Sequence, residues 1–324
     1  MILSDKFNRQ FEYLRLSITD VCNFSCQYCL PNGYKKQHKE RFLTLSEIKK
    51  LLDVFTSLGT KKIRITGGEP SLRSDLIDVI EAVNEKPEIE KIALTTNGYR
   101  LEKMAKQWHQ AGLQSVNVSI DSFDPKQFQL ITGYSDLAGI LKGIETAANI
   151  GLEVKLNLVL MKQFNAEVLS AVLAFVKDKP ITFRFIELME TGDNPIFFDE
   201  QHFRTTHIQK TLLETGFTLL PSHNLAGPAK IFTHPNYVGK VGTISPYEKG
   251  FCDTCNRLRV SAIGKLHLCL FGEEGYDLRW GLNNDVRNEA LSTFIKSQMV
   301  HKKETHFLAD RNTGATKHLA MLGG

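Results

Sequence analysis

The chain alternates between two hydrophobic rhythms. Six short runs rich in β-branched residues place apolar and polar side chains in succession: "YLRLSIT" (13–19), "KIRIT" (62–66), "IALTT" (92–96), "VNVSI" (116–120), "VKLNLVL" (154–160) and "ITFRFIEL" (181–188). A period of two predicts strands. Between them the apolar residues recur every three or four positions. In "TLSEIKKLLDVFTSLG", Ile48, Leu51, Leu52 and Phe55 share a face, Thr44 and Glu47 make a capping-box signature, and Gly59 can close the end. "DLIDVIEAVNE", "LEKMAKQWHQAG", "LAGILKGIETAANIG" and "AEVLSAVLAFVKDK" predict helices on the same grounds.

Strand and helix thus alternate over the first two hundred residues, which predicts an α/β fold with a parallel sheet. An open doubly wound sheet and an incomplete barrel both satisfy the pattern. From about residue 216 short apolar pairs stand among Gly and Pro, a more irregular region of short strands and turns. The last residues, polar and basic and ending in Gly323-Gly324, read by default as a frayed terminus.

Active sites on parallel sheets gather at the C-terminal strand ends, and the unusual residues fall there. "CNFSCQYC" follows the first strand, "TGGEP" the second, "TTNG" ends the third, "SIDS" the fourth and "ELMETG" the sixth. The fifth carries Lys155 and Asn157. The strongest signal is cysteine. Cys22, Cys26 and Cys29 form C-x3-C-x2-C, and Cys252, Cys255 and Cys269 form a second triplet. A cubane iron–sulfur cluster takes four thiolates, so three leave one iron open to a small molecule. An open position marks a catalytic metal rather than a structural one. A zinc site pairing Cys26 and Cys29 with Cys252 and Cys255 is the alternative, and it leaves Cys22 and Cys269 unused.

Charge adds a ligand class. Arg15, Arg64, Lys155 and Arg184 lie on predicted strands, and "CNRLR" sets Arg257 and Arg259 two apart beside the second triplet, on one face if that piece is a strand. Guanidinium forks suit phosphate oxygens, so the set favours an anionic, phosphorylated ligand. The net charge of +4 in 324 residues falls short of a dedicated nucleic-acid binder. No leader segment and no membrane-length apolar run is visible, and six cysteines in such a chain are no disulfide scaffold. The expectation is a cytoplasmic protein without nucleic-acid or membrane partners.

The cysteine triplet with Tyr28 before its last cysteine, followed by "GGEP", resembles the radical S-adenosylmethionine (SAM) superfamily. "YLRLSITDVCNFSCQYCLP", "RITGGEPSLR", "FIELMETG", "FCDTCNRLRVSAIGKLHLCLF" and the terminal Gly-Gly are similar to its branch that cyclises GTP at the start of molybdenum cofactor biosynthesis. The resemblance spans essentially the whole chain.

It implies an incomplete, TIM-like (β/α)6 barrel over residues 1–215, its open side covered by a mixed region over 216–324. It implies two [4Fe–4S] clusters, the first on Cys22, Cys26 and Cys29 binding SAM, the second on Cys252, Cys255 and Cys269 binding the guanine of GTP. By motif position Tyr28, Gly68, Glu69, Ser119 and Met189 match SAM contacts, with Tyr28 against the adenine and Gly68 and Glu69 acting mainly through backbone. Arg15, Arg64, Thr95, Lys155, Arg257, Leu258 and Arg259 match GTP contacts, and Gly323-Gly324 reaches into the site. The implied chemistry is reductive cleavage of SAM, hydrogen abstraction from C3' of GTP and closure onto C8, a lyase-type reaction giving 3',8-cyclo-7,8-dihydro-GTP. An electron donor, a homodimer and a next enzyme receiving the product are implied too. Two other readings compete: a peptide-modifying radical SAM maturase with an auxiliary cluster, and a zinc- or cluster-stabilised RNA-binding module.

Overall fold

A computed structural model describes residues 2–36, 38–221, 225–273, 275–283 and 285–323. All six alternating runs are strands: β1 (Tyr13–Ser17), β2 (Lys62–Thr66), β3 (Lys91–Thr96), β4 (Ser115–Ser119), β5 (Glu153–Leu160) and β6 (Thr182–Glu187). The expected helices lie between them as α1 (Leu45–Ser57), α2 (Leu76–Asn84), α3 (Leu101–Gln110), α5 (Leu137–Asn149) and α6 (Leu169–Val176). In α1 the capping box is complete: Thr44 Oγ1 accepts from Glu47 N, and the Glu47 carboxylate accepts from Thr44 N at 2.8 Å. The sequence pattern missed α4 (Pro125–Thr132), a short helix capped by Asp124 and closed by Gly133 at φ +71°. It also began α6 three residues early, because Asn165 accepts the Met161 amide at 2.7 Å and holds the preceding segment in turns.

Beyond β6 come α7 (Pro195–Gln201), α8 (Thr206–Glu214), β7 (Thr218–Leu219), β8 (Lys230–Thr233), β9 (Lys240–Ile244), β10 (Arg257–Val260), β11 (Lys265–His267), β12 (Tyr276–Asp277) and α9 (Asn288–Gln298). The short strands do not form a sheet of their own. One sheet runs β12-β11-β10-β1-β2-β3-β4-β5-β6-β9-β8-β7. β10 joins β1 in parallel, with Arg15 opposite Arg259, and β9 joins β6 in parallel, with Arg184 opposite Gly242. Antiparallel β11–β12 and β8–β7 finish the two ends. Among the described residues no pairing joins those ends, so the barrel stays open.

Alternation divides the strands chemically. Leu14, Leu16, Ile63, Ile65, Val116, Val118, Leu156 and Leu158 pack into the core that Ile48, Leu51, Leu52 and Phe55 of α1 help build. The opposite face carries Tyr13, Arg15, Lys62, Arg64, Thr95, Asn117, Lys155, Asn157, Arg184, Arg257 and Arg259. That polar face is strongly curved. The charges of Arg64 on β2 and Arg184 on β6 act on each other, although four strand steps in a flat sheet would separate them by about 19 Å.

The C-terminal segment is not frayed. Thr316, Leu319, Ala320, Leu322 and Gly323 are buried. Gly192 and Asp193 donate backbone hydrogen bonds to Thr316 O and Lys317 O, and Arg311 pairs with Glu190 and Asp199 at 2.8 and 3.0 Å. Gly324 lies outside the described residues. No helix among the described residues is long and apolar enough to cross a membrane.

Candidate active site

The first triplet occupies the loop after β1. Its backbone is stitched locally, with Cys29 N and Leu30 N donating to Cys26 O at 2.9 Å. Burial raises the Cys22 thiol to about 11 and the Cys29 thiol to about 12, and holds Cys26 well above the ordinary thiol value. The sulfurs also act on one another: Cys22 raises Cys29, and both raise Cys26. The second triplet shows the same mutual influence. Cys252 is raised by burial and by Cys269 and Cys255. Desolvation raises Cys255 too, but the Arg257 and Lys302 cations outweigh that and lower it to about 6, a value at which the thiolate is present for ligation. Every one of the six is half-buried and none is in a disulfide.

Both triplets fit an iron–sulfur group. Mutually repelling thiolates gain from a cationic core between them. Among the described residues no three His, Cys, Asp or Glu side chains converge on one ion's position, whereas a cubane needs each thiolate on a different iron.

The loop around the first triplet is built for close approach. A Cβ on Gly68 would lie 2.5 Å from Asp20 O and nearer still to Val21 O, so only glycine fits there. Glu69 is fully buried, and its carboxylate is consumed by Ser71 N, Thr96 Oγ1 and Asn97 N at 2.9, 2.8 and 2.6 Å. Glu69 therefore ties the β2 and β3 ends together, leaving backbone for any ligand. Ser119 stands at the end of β4 opposite Asn157. Tyr28 is buried among Ile131, Met161, Leu188 and Phe198. Its hydroxyl donates to Asp121 Oδ2 at 2.9 Å, and burial lifts that carboxyl to about 6.

The second triplet opens on a concave cleft, the kind of site that small molecules use. Arg15, Arg64, Arg184, Arg257 and Arg259 line it, with Tyr13, Asn157, Met189 and His306. Its field is strongly positive. Burial raises Tyr13, yet Arg64, Arg15, Lys62 and Arg257 overcome that and bring it down to about 8. Burial, then like charge, lowers Lys62 to about 8, Arg184 to about 9 and Arg259 to about 10, and lowers Arg15 as well. Holding so many cations together is unfavourable without an anion among them.

The triplets communicate through the tail. Leu319 and Ala320 amides face the Cys29 sulfur. Leu270, Phe271, Leu308, Leu319 and Leu322 form a cluster against which Cys29, Met189 and Cys269 all pack. Gly323 O accepts from Arg15 Nη2 at 2.5 Å.

Not every expected residue meets the cleft. Leu258 is buried in the core, since strand alternation sends it opposite Arg257 and Arg259. Lys155 pairs with Glu153 at 2.6 Å, and Thr95 stands on β3 away from the cleft wall. Arg184, counted among the basic residues for an anionic ligand, lines the cleft; conversely Tyr13 and Asn157 line it, and Lys62 shares its polar face, without having been named as ligand contacts. Position two residues from Arg15, Arg64 or Lys155 on the same strand was the available signal.

Residues 16–176 match the family model described as Radical SAM superfamily, and residues 181–308 match Molybdenum Cofactor Synthesis C. A partial barrel with a cysteine triplet after its first strand is the architecture of the first class. The protein is 52% identical to the GTP 3',8-cyclase of Actinobacillus pleuropneumoniae serotype 5b, over 99% of this chain and 95% of that one. It is 53% identical to that of Haemophilus ducreyi at the same coverage, and 52% identical to that of Tolumonas auensis over 100% and 97%. The chain belongs to the GTP 3',8-cyclase family. Among solved structures it shares its fold with Streptococcus suis SuiB bound to S-adenosylmethionine, at 12% identity and a TM-score of 0.64, covering 98% of this chain and 79% of that one.

Proposed function

We propose that the protein is a radical SAM lyase that cyclises GTP to 3',8-cyclo-7,8-dihydro-GTP, the opening step of molybdenum cofactor biosynthesis. The observation that carries this is the cleft at the second triplet, walled by five arginines and linked to the first triplet through one buried tail. Family membership supplies the reaction, and the cleft supplies a reason for a triphosphate.

Cys22, Cys26 and Cys29 would hold the [4Fe–4S] cluster, which when bound with SAM supplies a carbon radical. Tyr28, Gly68, Ser119 and Met189 would line the SAM path, with Glu69 fixing the loop. Cys252, Cys255 and Cys269 would hold a second [4Fe–4S] cluster against the base of GTP. Arg15, Arg64, Arg257 and Arg259, joined by Lys62 and Arg184, would clamp the phosphates through charge-assisted hydrogen bonds. Thr95 and Lys155 remain contacts in this reading, with Lys155 leaving Glu153 for the ligand, and Leu258 contributes through its backbone. The tail keeps water out and sets the distance between the two ligands. Residues 1–215 would form the radical SAM partial barrel with the first cluster, and residues 216–324 the region with the second cluster and the Gly-Gly tail. Work in the cytoplasm as a homodimer, with an external electron donor and delivery of product to the next enzyme, completes the proposal.

The test is anaerobic incubation of the iron-loaded protein with SAM, GTP and a reductant, followed by identification of the nucleotide. The cyclised dihydro-GTP is the expected product. SAM cleavage without it, together with modification of a peptide, would overturn the reading in favour of a maturase.

A further inference from the structure

Asp121 is a buried carboxylate with no assigned task. It follows β4 and is 1% exposed, and no ion pair among the described residues includes it. Its two oxygens are divided between two partners. Oδ1 accepts from Val159 N on β5 at 2.9 Å, and Oδ2 accepts from the Tyr28 hydroxyl at 2.9 Å. Its own carbonyl accepts from Asn165 Nδ2 at 3.0 Å, and the same amide group reaches Val159 O at 3.0 Å. Asp121 is thus fixed to the ends of two strands before it touches Tyr28. From the other side Asn194 Nδ2 donates to the Tyr28 carbonyl at 3.3 Å. Tyr28 is therefore gripped at hydroxyl and backbone, between Cys26 and Cys29 on the first triplet's loop.

Apolar neighbours alone would bury a phenylalanine equally well at this position. The hydroxyl adds a direction: it fixes the long axis of the ring to a rigid shelf between β4 and β5. A ring that swings a fraction of an ångström changes the surface offered to a stacked base, and misplacement on that scale is costly in catalysis.

We propose that Asp121 is a positioning residue for SAM: acting through the Tyr28 hydroxyl, it sets the ring against which the adenine of SAM packs. This rests on the reading of Tyr28 as a SAM contact. Asp121 itself touches no substrate.

The chemistry of the pair gives clean variants. Tyr28→Phe deletes the hydroxyl, and Asp121→Ala deletes its partner. Asp121→Asn keeps the link, because its oxygen can serve Val159 N while its amide donates to the tyrosine oxygen, which accepts as readily as it donates. SAM affinity is measured by equilibrium binding to the anaerobic holoprotein, below the melting temperature and at equal iron content. Tyr28→Phe and Asp121→Ala should each weaken SAM about 3- to 10-fold. The double variant should be no worse than the poorer single one, and Asp121→Asn should stay within twofold of wild type. GTP affinity should be unchanged throughout.

Losses that multiply in the double variant, or Tyr28→Phe binding SAM normally, overturn the proposal. So does Asp121→Asn failing as badly as Asp121→Ala. Tyr28→Leu distinguishes the underlying reading: if it too binds SAM normally, Tyr28 is no SAM contact. If it weakens SAM while the Asp121 variants do not, the contact stands and the positioning role falls.

Discussion

Replacing Gly323 by alanine should open the active site without unfolding the protein. Gly323 sits at φ +63°, a conformation that costs a residue with a Cβ about 1 kcal/mol. The added Cβ would lie 2.5 Å from Thr66 Oγ1, overlap Thr66 Cγ2 and reach 2.9 Å from Thr66 Cβ. Overpacking of this kind costs about 1–3 kcal/mol. The total, about 2–4 kcal/mol, falls on a terminal segment that can swing away, so it appears as a shift in tail closure of about 30- to 1000-fold. The Arg15 bond to Gly323 O is lost with it. Product formation should drop by a comparable factor, while the melting temperature moves little. Trypsin should cut faster after exposed Lys317, because cleavage follows the open population. Thr66→Ala removes both Oγ1 and Cγ2 and should restore part of the loss in the double variant, with Thr66→Ala alone as control. Wild-type turnover and an unchanged cleavage rate in Gly323→Ala would refute this account of the tail.

Arg184→Met should weaken GTP binding about 10- to 100-fold by removing charge-assisted bonds. The ligand-free holoprotein should melt no earlier, since a buried cation among like charges is gone; a clear drop in melting temperature contradicts the electrostatic reading. Cys269→Ser should lower iron from about eight toward four per chain and weaken GTP binding while sparing SAM binding; loss of SAM binding with GTP binding intact counts against the division of triplets. Tyr13 and Lys62 have folded values near 8 against 10 and 10.5 unfolded. Between those limits the folded state binds fewer protons, so stability should rise with pH from about 8 to 10. Saturating triphosphate should flatten that rise, and a decline through the same window in the ligand-free protein contradicts the assignment. Thr44→Ala should cost about 1 kcal/mol in denaturant unfolding through loss of the α1 cap.

The barrel strands were legible because their alternation is unusually clean. The same alternation that signals a strand also signals the site, since the polar face of β1, β2, β5 and β6 is the inside of the barrel. Arg15 and Arg64 could be found because charged residues stand out in short apolar runs. Tyr13 could not, because an aromatic residue beginning a strand reads as packing. Asp121 lay inside the quoted "SIDS" yet had no visible partner, since Tyr28 is 93 residues away. The docking of β9 and β10 onto opposite edges was equally invisible. Each is a short strand whose partner is chosen by the open edges of β6 and β1, not by its own pattern. The tail escaped for a related reason: a polar, glycine-ended terminus gives no local sign that a cleft awaits it.

The pairing of β10 with β1 and of Gly323 with Arg15 fixes an order of manufacture. β1 leaves the ribosome early with one edge unmatched, and its neighbour on that side is made more than two hundred residues later. Until then the nascent barrel carries two bare parallel edges, on β1 and β6, each a template for pairing with the wrong chain. The contact of Arg15 with Gly323 comes later still: its two partners stand 308 residues apart, so the cleft is sealed by a pairing that every strand of the sheet precedes in synthesis.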